Sequence, residues 1–362
     1  MVRYRVRNYI YKVITDKKYS FIANLIKFIF LVISFVYLFF IKLILFLYDK
    51  NLCKRKSFDA KVVSIGNITW GGTGKTPLVE SITRYFRTQG NRVVILSRGY
   101  GGHKYFKLPT DEILLLSHKL ADIPIVVDSN RKRGINKALQ EYHADIVILD
   151  DGFQQWGIKK DLEIVVIDGI NPFGNGWLIP RGILREPISS LKRADFFVIN
   201  KTDLVKEKSS LDRLKYELER INHRAQIFNA IYLPQFLQNL ANGEKKDLSI
   251  IKGKDVCIFS GIASPQSFKF TVEKLGGNIK LVFEFLDHYC YKEPDLLKIF
   301  SSCIGNGVKI LLTTEKDAVR LTPLLEIIKK YSNTLHLFSL AVEMKILESE
   351  IFYGRLSTLH NG

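Results

Sequence analysis

Lys75 and Thr76 end the glycine-rich part of Ser64–Leu78, SIGNITWGGTGKTPL, and carry the most specific chemistry in the chain. Gly71, Gly72 and Gly74 leave the backbone free to curl, so that successive N–H groups can point at phosphate oxygens that side chains would otherwise block. Lys75 then reaches the terminal phosphates of a nucleotide, and the Thr76 hydroxyl ligates Mg²⁺. Thr69, Trp70 and Thr73 complete the loop, and Thr69 stands where the pattern G-x-x-x-x-G-K-[ST] has its first glycine. The bland alternative is a glycine-rich turn without a ligand. Against it, an apolar strand, the loop and a helix follow one another in the order that phosphate binding requires.

Other polar residues lie where such a loop needs partners. Asp150 and Asp151 open Asp150-Asp151-Gly152-Phe153-Gln154 at the end of an apolar strand, the form of a Walker B that delivers carboxylates to a metal. A solvated strand end would look the same, and either aspartate could be the direct ligand. Arg185, in Leu184-Arg185-Glu186-Pro187 of a Gly/Pro-rich loop over 171–187, is placed either to neutralise a migrating phosphoryl group or to face solvent. Arg98, Tyr100 and Arg131 are candidates for contact with substrate phosphate or sugar, against plain support of the fold. Asn200-Lys201-Thr202-Asp203 has the N-K-x-D spacing with which GTPases grip guanine, so a P-loop GTPase of metallochaperone or membrane-targeting type is the rival reading.

The elements that must position these groups alternate. Short apolar strands are expected at 61–65, 92–97, 123–127, 145–149, 162–167 and 196–199, with helices at 77–89 and 131–142 among them. Strands buried on both faces between amphipathic helices make an α/β fold, P-loop NTPase-like, with a mainly parallel, doubly wound sheet. Its ligands gather at the carboxyl ends of the strands. The chain divides into a basic segment (1–56), a P-loop kinase domain (57–222), an irregular linker (223–254), a smaller α/β domain (255–345) and a tail (346–362). No second phosphate loop occurs in the smaller domain, which is expected to close over the acceptor.

The formal charge is +18, and residues 1–60 hold twelve Lys/Arg against Asp16, Asp49 and Asp59, a net of +9. Anionic lipid or nucleic acid would suit that concentration, and the apolar stretch inside it favours lipid. Residues 28–48 read FIFLVISFVYLFFIKLILFLY, with no cleavage site before Asp49. At 100° per residue Ser20, Asn24, Lys27, Ser34, Lys42 and Asp49 share an arc of roughly 80°, a polar stripe that calls for headgroups, water or a protein face. A spanning helix would also export Arg3, Arg5, Arg7, Lys12, Lys17 and Lys18 against the positive-inside tendency. A helix over about 20–49, lying in or along the cytoplasmic face, is therefore expected. The four cysteines are scattered and read as reduced thiols.

Together the motifs resemble the tetraacyldisaccharide 4′-kinase family. The likeness runs through Gly66-Asn67, Gly71 to Pro77, Ser97-Arg98-Gly99-Tyr100-Gly101, Asp150 to Gln154, Leu184 to Pro187, Ser260-Gly261-Ile262-Ala263, Asp287-His288 and Thr314-Glu315-Lys316-Asp317, in the family's order. It implies ATP and Mg²⁺ as co-substrates and a tetraacylated glucosamine disaccharide 1-phosphate lipid as acceptor, phosphorylated on its 4′-hydroxyl. It implies an enzyme at the cytoplasmic face of the bacterial inner membrane, needing neither nucleic acid nor an obligate protein partner. It further implies that Asp111 and His288 together handle the hydroxyl proton. The family usually has a second histidine after this one, and Tyr289 stands there in this chain.

Overall fold

A computed structural model of the chain describes residues 2–99 and 110–359. Those residues form two compact units. The first comprises 2–99, Asp122–Ile231 and 346–359, and the second 110–121 with Tyr232–Lys345.

In the first unit, helices α1 (Val2–Ile14) and α2 (Phe21–Asp49) precede β1 (Lys61–Gly66), α3 (Lys75–Thr88) and β2 (Val93–Ser97). After α4 (Asp111–Lys119), which belongs to the second unit, come β3 (Ile125–Val127), α5 (Arg131–Tyr142), β4 (Ile146–Asp150), β5 (Leu162–Asp168), β6 (Phe196–Asn200) and α6 (Lys208–Ile221). The strand order is β3-β2-β4-β1-β5-β6, and each neighbouring pair is parallel. β1, β2, β4 and β6 are apolar and buried along nearly their whole length, as a sheet covered on both faces demands. One apolar layer, with Val62, Leu96, Ile135 and Ile158, packs under α5, and another, with Ile68, Phe153, Phe197 and Leu218, packs under α6. Between them β1 lies next to β4, with Ile65 opposite Asp150, so the strand that feeds the glycine loop adjoins the strand that ends in aspartates.

The stretch 223–254, expected to be irregular, contains β7 (Gln226–Asn239), which pairs parallel with β6 at its start. Its alternating half-buried pattern is two-sided and interrupted by Pro234 and several glutamines, which masks the strand period in the sequence. Residues 349–357 form helix α11 (Ser349–Ser357), whose Tyr353 hydroxyl lies 2.5 Å from Ser81 Oγ on α3.

In the second unit, β8 (Lys245–Lys246) pairs antiparallel with β7. β9 (Asp255–Ser260), α7 (Pro265–Lys274), β10 (Asn278–Glu284), α8 (Glu293–Gly305), β11 (Ile310–Thr314), α9 (Glu315–Leu321), α10 (Leu325–Tyr331) and β12 (His336–Ile346) follow. The order β10-β9-β11-β12 is parallel, with a core around Cys257, Phe259, Leu296, Phe300 and Leu311. Cys257 and Cys303 are buried in that core as free thiols.

Candidate active site

The glycine loop owes its shape to one close approach and to two glycines with positive φ, Gly71 and Gly74. Gly66, at the end of β1, lies so near Phe153 that an added Cβ would stand 2.5 Å from the Phe153 nitrogen. Gly74 caps α3 at φ 94°, a conformation that costs a glycine nothing. The 171–187 loop then clamps the glycine loop from outside: Trp70 N donates to Ile183 O at 2.6 Å, Arg185 N donates to Ile68 O at 2.8 Å, and Thr69 bridges to Leu184. From within, Asn200 Nδ2 donates to Thr73 O at 3.0 Å.

Around that loop the sequence candidates converge. Lys75 Nζ donates to Asn67 Oδ1 at 3.0 Å and stands 3.5 Å from Asp151 Oδ1. Arg185 Nη1 reaches the same Asp151 oxygen at 2.7 Å, so this arginine is directed inward and does not face solvent. Asp151 sits in the left-handed region at φ 56°, tolerated by aspartate and frequent at functional turns. Burial alone would push its carboxyl up, but Lys75 and Arg185 together hold it below the usual carboxylate range. Asp150 is buried, accepts from Ser97 Oγ at 3.1 Å, and is held through its own carbonyl by Arg131 Nη2 at 2.9 Å. Arg131 thus contacts the end of β4. Thr76 is buried in the first turn of α3, Arg98 is exposed just past β2, Gly71 is left-handed at φ 127°, and Tyr100 lies outside the described residues.

The second unit brings together the other two candidates. Asp111 opens α4, capped by Thr110, whose hydroxyl accepts from Ile113 N. His288 Nδ1 lies 2.8 Å from Asp111 Oδ2. The backbone at His288 is left-handed, φ 60°, and its N donates to Gly261 O at 3.1 Å. The hydrogen bond with Asp111 raises the imidazole above its ordinary value, while Asp111 itself, against the effect of burial, is lowered by His288 and Arg320. Complementary charges dock α4 on α9: Asp111 with Arg320, Glu112 with Lys316 and Lys119 with Glu315.

Three further residues contribute to the site: Asn67, Glu186 and Arg320. Asn67 receives both cations, at 3.0 Å from Lys75 and 3.4 Å from Arg185, and its place directly after Gly66 in the strand-to-loop step was the available signal. Glu186 is fully buried and accepts from Arg193, Trp156 and Gln154, which ties the Arg185 segment to the turn after Asp151. Arg320 has no signal in the sequence, because only the fold brings α9 to α4. Asn200-Lys201-Thr202-Asp203, in turn, does fold work: Asn200 holds the glycine loop and Lys201, 2% exposed, pairs with Asp168.

The family model described as tetraacyldisaccharide-1-P 4′-kinase matches residues 26–360. A tetraacyldisaccharide 4′-kinase of Halothermothrix orenii is 34% identical over 371 residues, covering 95% of this chain and 96% of the relative. One of Syntrophus aciditrophicus is 33% identical over 84% of this chain and 85% of its own length. Among solved structures, LpxK from Aquifex aeolicus in complex with ATP superposes with a TM-score of 0.68 at 27% identity, over 91% of this chain and 97% of that one. These likenesses favour the kinase reading over the GTPase one. Sequence, fold and near full-length relatives agree, and the chain belongs to the tetraacyldisaccharide 4′-kinase family.

Proposed function

We infer that this protein transfers the γ-phosphate of ATP to the 4′-hydroxyl of a tetraacylated glucosamine disaccharide 1-phosphate, at the cytoplasmic face of the bacterial inner membrane. The observation that carries the reading is the convergence of Lys75 Nζ and Arg185 Nη1 on Asp151 beside the glycine loop. Two cations at one carboxylate beside a glycine-rich loop form a site prepared for polyanionic phosphate.

In the proposed reaction the 4′-oxygen bonds to the γ-phosphorus as its bond to the β,γ-bridging oxygen breaks. Lys75 and Arg185 spread the charge that develops on the transferred group. Asp111 accepts from His288 Nδ1–H, which fixes the tautomer and leaves Nε2 to take the hydroxyl proton and pass it to solvent. Thr76, Asp150 and Asp151 would hold Mg²⁺. Their oxygen donors suit a hard cation that takes one or two carboxylates and completes its shell with water and phosphate. Among the described residues no group of three His, Cys, Asp or Glu forms an all-protein cage. When bound, the ion neutralises phosphate charge.

The acceptor is a lipid, and α2 takes the enzyme to it. This helix is long and apolar enough to cross a membrane by length and composition, and it exposes Phe21, Phe28, Phe35 and Phe39. Lying along the bilayer, those side chains bury in it while the basic flanks meet anionic headgroups.

Purified protein incubated with γ-labelled ATP, Mg²⁺ and the disaccharide lipid should label the lipid, and Lys75→Ala should abolish the label. Absence of lipid label from protein that still binds ATP would overturn the reading. GTP outcompeting ATP would return the GTPase alternative.

A further inference from the structure

Two members of the polar stripe of α2 meet protein, Ser34 and Lys27, and Ser34 meets the loop that carries Arg185. Ser34 is 4% exposed, donates from Oγ to Leu178 O at 2.9 Å and accepts from Arg181 N at 3.0 Å. A hydroxyl on an otherwise greasy helix thereby satisfies two backbone groups of the 171–187 loop that would cost free energy if buried unpaired. One turn further along, Tyr37 Oη donates to the carbonyl of Arg185 itself at 2.8 Å. At the helix start, Lys27 pairs with Asp16 at 2.7 Å, and Asp16 also receives Arg181 at 3.0 Å and Asn175 at 2.8 Å. Leu178 and Arg181 precede the Ile183, Leu184 and Arg185 backbone groups that clamp the glycine loop. A membrane anchor needs only an apolar face. Ser34 and Tyr37 lie on the other face, and each bonds to backbone of this loop.

We propose that Ser34 and Tyr37 are positioning residues for phosphoryl transfer, fixing the Arg185 segment from the membrane helix, so that α2 is part of the catalytic scaffold as well as an anchor. The inference rests on the reading that Arg185 acts on the transferred group. Without the Tyr37 bond the Arg185 backbone loses a fixed point, and the guanidinium drifts relative to Asp151 and Asn67. Displacement of that order is costly to chemistry and leaves nucleotide binding intact.

The test compares Ser34→Ala, Ser34→Thr, Tyr37→Phe and Arg185→Ala in mixed micelles, together with flotation on vesicles of anionic phospholipid. Ser34→Ala and Tyr37→Phe should lower kcat, by about ten- to a hundredfold for Ser34→Ala and severalfold for Tyr37→Phe. KM for ATP and flotation should not change, and Ser34→Thr should recover most of the loss. On the Arg185→Ala background Tyr37→Phe should add nothing, since both act through one group. If Arg185→Ala retains kcat, the reading of Arg185 falls. If Arg185→Ala lowers kcat strongly while Ser34→Ala and Tyr37→Phe keep kcat within twofold, or lose activity in step with flotation, the present inference falls. Should Ser34→Ala fail to fold, Tyr37→Phe removes a single oxygen, and the cycle with Arg185→Ala decides alone: a fully additive loss overturns the proposal.

Discussion

Arg320 Nη2 lies 2.6 Å from Asp111 Oδ2, the same oxygen that meets His288 Nδ1 at 2.8 Å. Arg320 is itself fixed, through Nη1 to Gly261 O at 2.6 Å and to Asp317 Oδ1 at 2.9 Å. Gly261 O also receives His288 N, so one carbonyl aligns both the cation and the imidazole that share the carboxylate. Asp317, fully buried, is in turn held by Gly261 N, Tyr291 and Thr314.

Removing Arg320 should therefore misalign the Asp111–His288 pair. Arg320→Met is expected to lower kcat about ten- to a hundredfold with KM for ATP unchanged. Lysine cannot replace its fork of donors, so Arg320→Lys should recover little. Steady-state kinetics on folded protein check this, and full activity in Arg320→Met would refute it.

The pH dependence of turnover follows from the direction of the His288 shift. Its folded pKa is raised by the hydrogen bond with Asp111, and the general base must be neutral. The rate should accordingly climb with pH through a limb lying above the ordinary imidazole value of about 6.5. His288→Ala should lose about 10²–10⁴ in kcat and abolish that limb. The stability that the raised imidazole contributes runs the opposite way: it is complete below the unfolded pKa and disappears as pH rises through the folded one. A kcat–pH profile paired with thermal melts tests both signs.

Asp16 supplies an acid-side prediction. Burial opposes its ionisation, yet hydrogen bonds from Lys27, Asn175 and Arg181 bring its pKa down to about 2. A depressed carboxylate stabilises the fold above its unfolded pKa and ceases to do so as pH falls through the folded value. Asp16→Asn should melt lower than the parent chain at pH 7, and the gap should close between about pH 4 and about pH 2. A gap that persists unchanged at pH 2 would contradict the assignment.

Gly66→Ala probes the strand-to-loop step. Its methyl would meet the Phe153 backbone nitrogen and the Cβ fixed to that backbone, both at 2.5 Å, and neither can rotate away. Overpacking of this kind costs about 1–3 kcal/mol, and here it would push Asp151 and Asn67 apart. A lowered melting temperature together with a loss of kcat larger than that of Gly305→Ala, where an added Cβ meets nothing within 4 Å, is the expected outcome.

The sequence by itself determined the chemistry along each local segment. Glycines, lysine and threonine in order gave the phosphate loop, because a loop that cradles phosphate with its own backbone must be written contiguously. Apolar runs of five or six residues gave the parallel strands, since burial on both faces leaves a one-dimensional signature. Asp150 and Asp151 were legible for the same reason, as polar residues ending such a run. The pairing of Asp111 with His288 came from a family resemblance, because 177 residues separate them and no spacing rule joins them. What only the tertiary structure decided were the contacts across the chain: Arg320 on Asp111, Asn67 between Lys75 and Arg185, and Asn200 under the glycine loop. The fate of the α2 stripe belongs to the same class. Amphipathicity records that Ser34 and Lys27 need a polar partner, but headgroup, water and backbone carbonyl leave the same trace in a sequence, and only folding selects Leu178 and Asp16 as those partners.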